Sequence, residues 1–203
     1  MLFRSGDEED IDFNAEMRAL AAWLRDYAGA MNKTQVALKA AMIAFSSTLA
    51  NEDFRAVERW AKTAGAGRSW ASARKVMLAQ LTAAPRAYDR VEILLDEGLI
   101  AQAVQAAGQT GGHAGGSDTL MRLAGAAAQS HPDWVIRVAR ARADAIMDQG
   151  RAGHYREAAQ WLEAASQAFI AADRDEEWRG LIDRLIEAHR RKHKLRPLLE
   201  ALR

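Results

Sequence analysis

Residues 153–172, GHYREAAQWLEAASQAFIAA, set Tyr155, Ala158, Leu162, Ala165, Phe169 and Ala172 at alternating spacings of three and four. A helix of 3.6 residues per turn gathers all six on one side, whereas a strand would scatter them over both faces. Such a helix cannot bury its apolar stripe alone and must lie against a neighbour. The same period recurs along the chain. A segment from about 8 to 28 carries Ile11, Met17, Leu20, Leu24 and Tyr27 between charges. NKTQVALKAAMIAFSST places Val36, Ala40, Ile43 and Ser47 on one stripe, with Asn32 as N-cap. Residues 51–64 and 69–83 give two more helices, the second with Trp70, Ala73, Met77 and Leu81 on its buried face. Pro85 suits the first turn of a helix bearing Tyr88, Val91 and Leu95, which Gly98 breaks, and a shorter helix runs to about Ala107.

The second half follows the same rule. Ser117 or Asp118 caps a helix to about Gln129, Pro132 opens one that ends at Gly150, and Trp178, Leu181, Ile182, Leu185 and Ile186 share a face. Pro197 limits a last short helix ending at Leu202. No segment alternates with period two, and alanine is abundant while Val and Ile are sparse. The expected fold is all-α, with about ten or eleven helices. The one glycine-rich run, GQTGGHAGGS, divides it into an N-terminal part (1–107), a linker (108–117) and a C-terminal part (118–203). That run lacks the Gly-Lys-Ser/Thr and the preceding strand of a phosphate loop. It is the expected site of fastest proteolysis.

Some helix pairs share a signature. Gly153, Tyr155, Ala158, Leu162 and Ala165 are echoed by Gly98, Ile100, Ala103 and Ala107, and by Asn32, Thr34, Ala37, Ala41 and Ala44. The first resembles the second-helix pattern of tetratricopeptide repeats. Asn32 to Gly98 is close to two such periods, but Gly98 to Gly153 fits none. The expectation is therefore a degenerate helical-hairpin solenoid. Three stretches, VEILLDEGLIAQAVQAA, ARADAIMDQGRAGHYREAAQWLEAASQAF and EEWRGLIDRLIEAHRRKHKLRPLLEALR, together resemble the C-terminal helical-repeat region of bacterial SWIM zinc finger family proteins. The resemblance implies helical repeats and a place within a larger protein of that type. The family's zinc motif uses three Cys and one His; this chain has no Cys, so no zinc or DNA role tied to that motif carries over.

The lack of cysteine also excludes disulfides, thiolate metal sites and a Cys nucleophile. The N-terminus has no apolar leader pattern, and the longest uncharged stretch, Gly98–Ser117, is too rich in Gly and Gln to span a membrane. A cytoplasmic protein without cofactor is expected. Net charge is +1, but residues 1–30 balance to −4 (three Arg, seven Asp/Glu) and residues 174–203 to +3 (nine Lys/Arg, six Asp/Glu). His189 and His193 are four apart, yet a third ligand is missing and Arg190, Arg191, Lys192 and Lys194 repel a cation. Those four cations are the candidate phosphate contacts of a nucleic-acid module. Of the six Trp, most sit in apolar stripes; Trp161 lies beside its stripe and either packs on the next hairpin or, with Tyr155, lines a partner groove. The acids of DEED (7–10) and DRDEEW (173–178) suit helix starts, and no nucleophile or base is placed beside them. The leading expectation is a non-catalytic scaffold for a protein or peptide partner, the alternative a nucleic-acid accessory module. The closing EAHRRKHKLRPLLEALR is expected to be a charged helix end followed by a cap whose Leu195, Leu198, Leu199 and Leu202 cover the last hairpin.

Overall fold

The computed structural model describes residues 6–65, 67–84, 88–109 and 116–203, with side chains of the first helix from Phe13 and of the fourth from Ser69. Among them are eleven α-helices, one 3-10 turn and no strand. The glycine-rich run at 110–115 and Pro85, with the roles expected of them, lie outside the described residues.

The first compact unit contains α1 (Gly6–Ala30), α2 (Thr34–Thr48), α3 (Asn51–Thr63), α4 (Gly67–Ala83) and α5 (Arg90–Asp96). Its core is aromatic and aliphatic: Phe45, Phe54, Val57, Met77, Leu81 and Ile93 are all essentially inaccessible. Phe54 meets Phe45 and Trp70 edge-on, each at 5.7 Å between ring centroids, the geometry that the ring quadrupole favours. The α1/α2 pair uses small residues instead. It buries Ala21 and Ala28 of α1 and Ala37, Ala40, Ala41 and Ala44 of α2. Val36 and Ile43, expected on the buried stripe of α2, are instead 41 % and 47 % exposed. The alanines beside them let α1 approach closely, and the apolar stripe is rotated accordingly. Asn32 does not cap α2 either; Lys33 holds that position, and Asn32 turns the chain at φ 57°, a conformation Asn tolerates. Gly29 is required by packing, since a Cβ there would lie 2.3 Å from the Trp60 ring.

Charged contacts tie these helices together. Arg18 of α1 donates to the buried Asp53 at 2.8 Å and to Glu52 at 3.0 Å, and Thr48 donates to Asp53 at 2.8 Å. Arg55 bonds Glu58, Asp96 and Glu97, and Arg74 also donates to Glu97. Donors from α1 and α2 thus satisfy the buried Asp53 carboxyl group in the interior.

The second compact unit contains Gly98–Gly108 and Gly116–Arg203. Residues 98–107, assigned from the sequence to the N-terminal part, therefore cluster with the C-terminal helices. The chain turns at Gly98, whose φ of 72° lies in the left-handed region that glycine adopts without strain. The helices are α6 (Ile100–Gln109), α7 (Ser117–Ala127), α8 (Pro132–Asp148), α9 (Tyr155–Ala171), α10 (Asp175–Ala188) and α11 (Arg196–Glu200), with the 3-10 turn at Ala152–His154. Pro132 stands in the first turn of α8, where its missing N–H costs no helical bond. Every member of the Tyr155, Ala158, Leu162, Ala165, Phe169 row is buried. Phe169 packs on Trp178 at 5.9 Å. Arg174 crosses from α10's start to Asp133 at 2.8 Å while also bonding Glu177.

Candidate interaction groove

On α7, Asp118, Met121, Arg122 and Gly125 follow the i, i+3, i+4, i+7 spacing of one helix face. Gln160, Glu163, Ala164 and Gln167 do the same on α9. Together these eight residues line an open groove of about 470 Å³. The opposite faces of both helices are tied into the core: Leu120, Leu123 and Ala124 on α7, Trp161, Leu162 and Ala165 on α9. Ser117 donates to Glu157 at 2.9 Å and links the first turns of the two helices. The floor is small and apolar at Gly125 and Ala164. The rim carries two carboxylates, one guanidinium and two amides, a mixed set of donors and acceptors suited to a polypeptide backbone and its polar side chains.

Gly125 is unusual in the interior of a helix. A Cβ there would meet nothing within 4 Å, so no packing requires glycine. Gly125→Ala is therefore expected to stabilise the fold by about 0.5–1 kcal/mol through helix propensity. A higher midpoint in urea would show it; an unchanged or lower one would mean that Gly125 has a contact of its own.

The two residues singled out from the sequence for a partner groove do not line this one. Tyr155 is 5 % exposed and Trp161 is fully buried. Position 161 lies about 100° around the helix from Leu162, and the face that α9 buries is wide enough to include both. The indole N–H of Trp161 has no hydrogen-bond partner in the interior. The exposed tryptophan is Trp23, at 60 %, whereas packing in apolar stripes was expected of the tryptophans other than Trp161. The groove itself was missed because its two polar rows become one site only when α7 and α9 are neighbours.

The basic segment follows α10 as turns rather than as a continued helix, so His189 and His193 do not share a helical face. Lys192 donates to the Met147 carbonyl at the end of α8, at 2.6 Å, where a cation also complements the helix dipole. Arg190 pairs with Glu187 at 2.7 Å. Arg191 and Lys194 are exposed and, among the described residues, hold no ion pair. A shallow hollow of about 410 Å³ runs along Glu187–Lys192. Among the described residues no cluster of three or more His, Cys, Asp or Glu could hold a metal ion. No described helix is long and apolar enough to cross a membrane.

His189 sits half-buried in this segment. Burial, reinforced by the Lys192 charge, pushes its pKa below the ordinary histidine value, while Asp148 and Asp144 offset part of the shift. The folded state then resists a proton that the unfolded chain accepts near pH 6.5. The stability that neutral His189 contributes is complete above about pH 6.5 and is lost as the pH falls from there through its lower folded value. His189→Gln is expected to flatten the decline of the melting temperature below about pH 6.5; a decline identical to wild type would remove His189 as its cause.

No protein-family model, curated protein or solved structure matches the chain.

Proposed function

We propose that the chain is a non-catalytic helical scaffold, a degenerate hairpin solenoid acting in the cytoplasm, that binds a protein or peptide partner. The observation that carries this reading is the α7/α9 groove, with its small floor and mixed polar rim. Helical-repeat proteins commonly take partners in such inter-helix grooves. The resemblance to SWIM-family helical regions supports a place within a larger protein of that type. A partner segment lies along the groove, its side chains over Gly125 and Ala164 and its polar groups on Gln160, Gln167 and Glu163.

A random-peptide display selection on the immobilised chain tests this. Enriched peptides are expected to bind wild type and to lose at least tenfold in affinity for Gly125→Trp, which fills the groove from a position with free space. Failure to enrich any peptide, or equal binding by Gly125→Trp, overturns the reading. The nucleic-acid alternative rests on Arg191 and Lys194, because among the described residues Arg190 is held by Glu187 and Lys192 by the Met147 carbonyl. Two phosphate contacts give a salt slope of only about −2, weak for a dedicated binder. Steeply salt-dependent DNA binding, lost when Arg190, Arg191, Lys192 and Lys194 are all Gln, would favour that alternative.

A further inference from the structure

The first helix is built inside out. Its buried positions are alanines, Ala21 and Ala28, while Met17 and Leu24 are half-buried and four large apolar side chains face water: Phe13, Leu20 and Trp23 are each 60 % exposed and Tyr27 is 53 % exposed. Single exposed apolar residues are ordinary; a continuous row of large ones is informative. Phe13, Leu20 and Tyr27 are spaced by seven, and Trp23 completes the alternate positions of a 3.5-residue seam together with the exposed Glu16 and Ala30. This two-in-seven stripe is the pattern by which helices pair as coiled coils. Trp23 and Tyr27 are already stacked, with 5.4 Å between centroids and 10° between planes. That pair presents a preformed aromatic surface, which lowers the ordering cost of binding.

The hairpin's second helix extends the face. Leu38, Ala41 and Phe45 turn α2 toward the core shared with α3 and α4. Val36 and Ile43 lie half a helical turn away from them, at 41 % and 47 % exposure. On α1, the Leu20–Trp23–Tyr27 row is likewise half a turn from Arg18, which reaches α3. Both rows therefore look away from α3 and α4.

We infer that this face is the interface of a homodimer, formed by two α1/α2 hairpins related by a two-fold axis. The exposed area of the six apolar residues is on the order of 600 Å² per copy, taking about 150–250 Å² for a whole aromatic side chain and somewhat less for an aliphatic one. A standard interface buries about 800 Å² per partner, and in homodimers about 65 % of that is apolar. The face thus supplies the apolar area that a stable dimer needs. A two-fold axis makes paired α1 helices antiparallel. One register uses all six seam positions: Leu20 against Trp23 of the second copy, Glu16 against Tyr27, and Phe13 against Ala30. It sets a large residue against a small one at the ends and places a carboxylate beside a phenol that can donate to it. Registers shifted by seven leave two seam positions of each helix unpaired.

Sedimentation equilibrium of the full chain from about 1 to 100 µM tests the inference. Wild type is expected to approach twice the chain mass, in this range of ordinary dimer affinities. Leu20→Glu with Trp23→Glu should hold it at one chain mass with an unchanged circular-dichroism spectrum, while Ile170→Glu, an exposed apolar position on α9, should leave the dimer intact. The chain contains no cysteine, so Glu16→Cys with Tyr27→Cys supplies a second readout. Oxidation should link two chains through two disulfides, whereas in one helix the two sites are about 16 Å apart and cannot bridge. A monomeric wild type at 100 µM, a dimer that survives the double Glu variant, or no cross-linked dimer from the Cys pair overturns the inference. Because the groove lies in the second compact unit, peptide binding is read independently of this result.

Discussion

Trp161→Ala is expected to lower the unfolding free energy by about 3–5 kcal/mol, the range for deleting a large aromatic from a packed core. The side chain is wholly inaccessible, and Leu162, Ala164, Ala165 and Ala168 on the same helix are buried with it. Small alanines cannot spread to fill an indole-sized void, so little of the loss is recovered by relaxation. Leu162→Ala and Phe169→Ala are expected to cost about 2–5 kcal/mol each. Trp161→Phe separates two contributions. It leaves a smaller void, but it also removes the indole N–H that has no partner, and an unmade buried hydrogen bond costs about 1–3 kcal/mol. The Phe variant should therefore lie much nearer wild type than the Ala variant. Urea denaturation followed by circular dichroism provides the comparison. An unchanged midpoint for Trp161→Ala would place the residue on the surface, where the sequence allowed it to be.

The second large effect is at the C-terminus. Leu195 and Leu199 are fully buried, and the Trp178 indole donates to the Leu202 carbonyl at 3.2 Å. Arg203 adds an exposed pair with Asp183, worth little by itself. Leu195→Ala and Leu199→Ala are each expected to cost about 2–5 kcal/mol. Deleting residues 195–203 removes both leucines and uncovers Trp178, a loss comparable to the whole stability of a typical domain, about 5–15 kcal/mol. The truncated chain should melt far below wild type and associate through its exposed core. In the basic run before this cap, Arg191→Gln and Lys194→Gln should leave the melting temperature unchanged. Lys192→Gln should not, because its ammonium satisfies a carbonyl at the end of α8, and hydrogen bonds to charged groups are worth about 1.5–3 kcal/mol. A truncated protein that melts with wild type would mean that α11 covers nothing.

Much of this was readable from spacing. The rows from Tyr155 to Phe169 and from Trp178 to Ile182 are buried as their three-four pattern requires, and so are Leu195 and Leu199 of the expected cap, whereas the outer members Ala172, Leu185, Ile186, Leu198 and Leu202 are only half-buried. Pro132 opens α8 as its fixed φ favours. The pattern misled where small residues decide the packing. In α2 the alanines, not Val36 and Ile43, take the interior. Hydrophobicity ranks a valine above an alanine, but a helix pressed close against another has room only for the smaller side chain. The same rule turned the large side chains of α1 outward.

Residue order alone makes this chain helical, marks where most of its helices begin and end, and closes it to metal–thiolate and disulfide chemistry. These properties follow from backbone propensity, local period and residue inventory, which act within a few turns of chain. Packing of helix against helix settled which face of each is buried and which rows meet. It put Trp161 inside and Trp23 outside, joined the polar rows of α7 and α9 into one groove, and tied Lys192 to the end of α8. Those outcomes depend on which helices are neighbours and how closely they approach, and residues 40 or more apart along the chain carry no local signal of either.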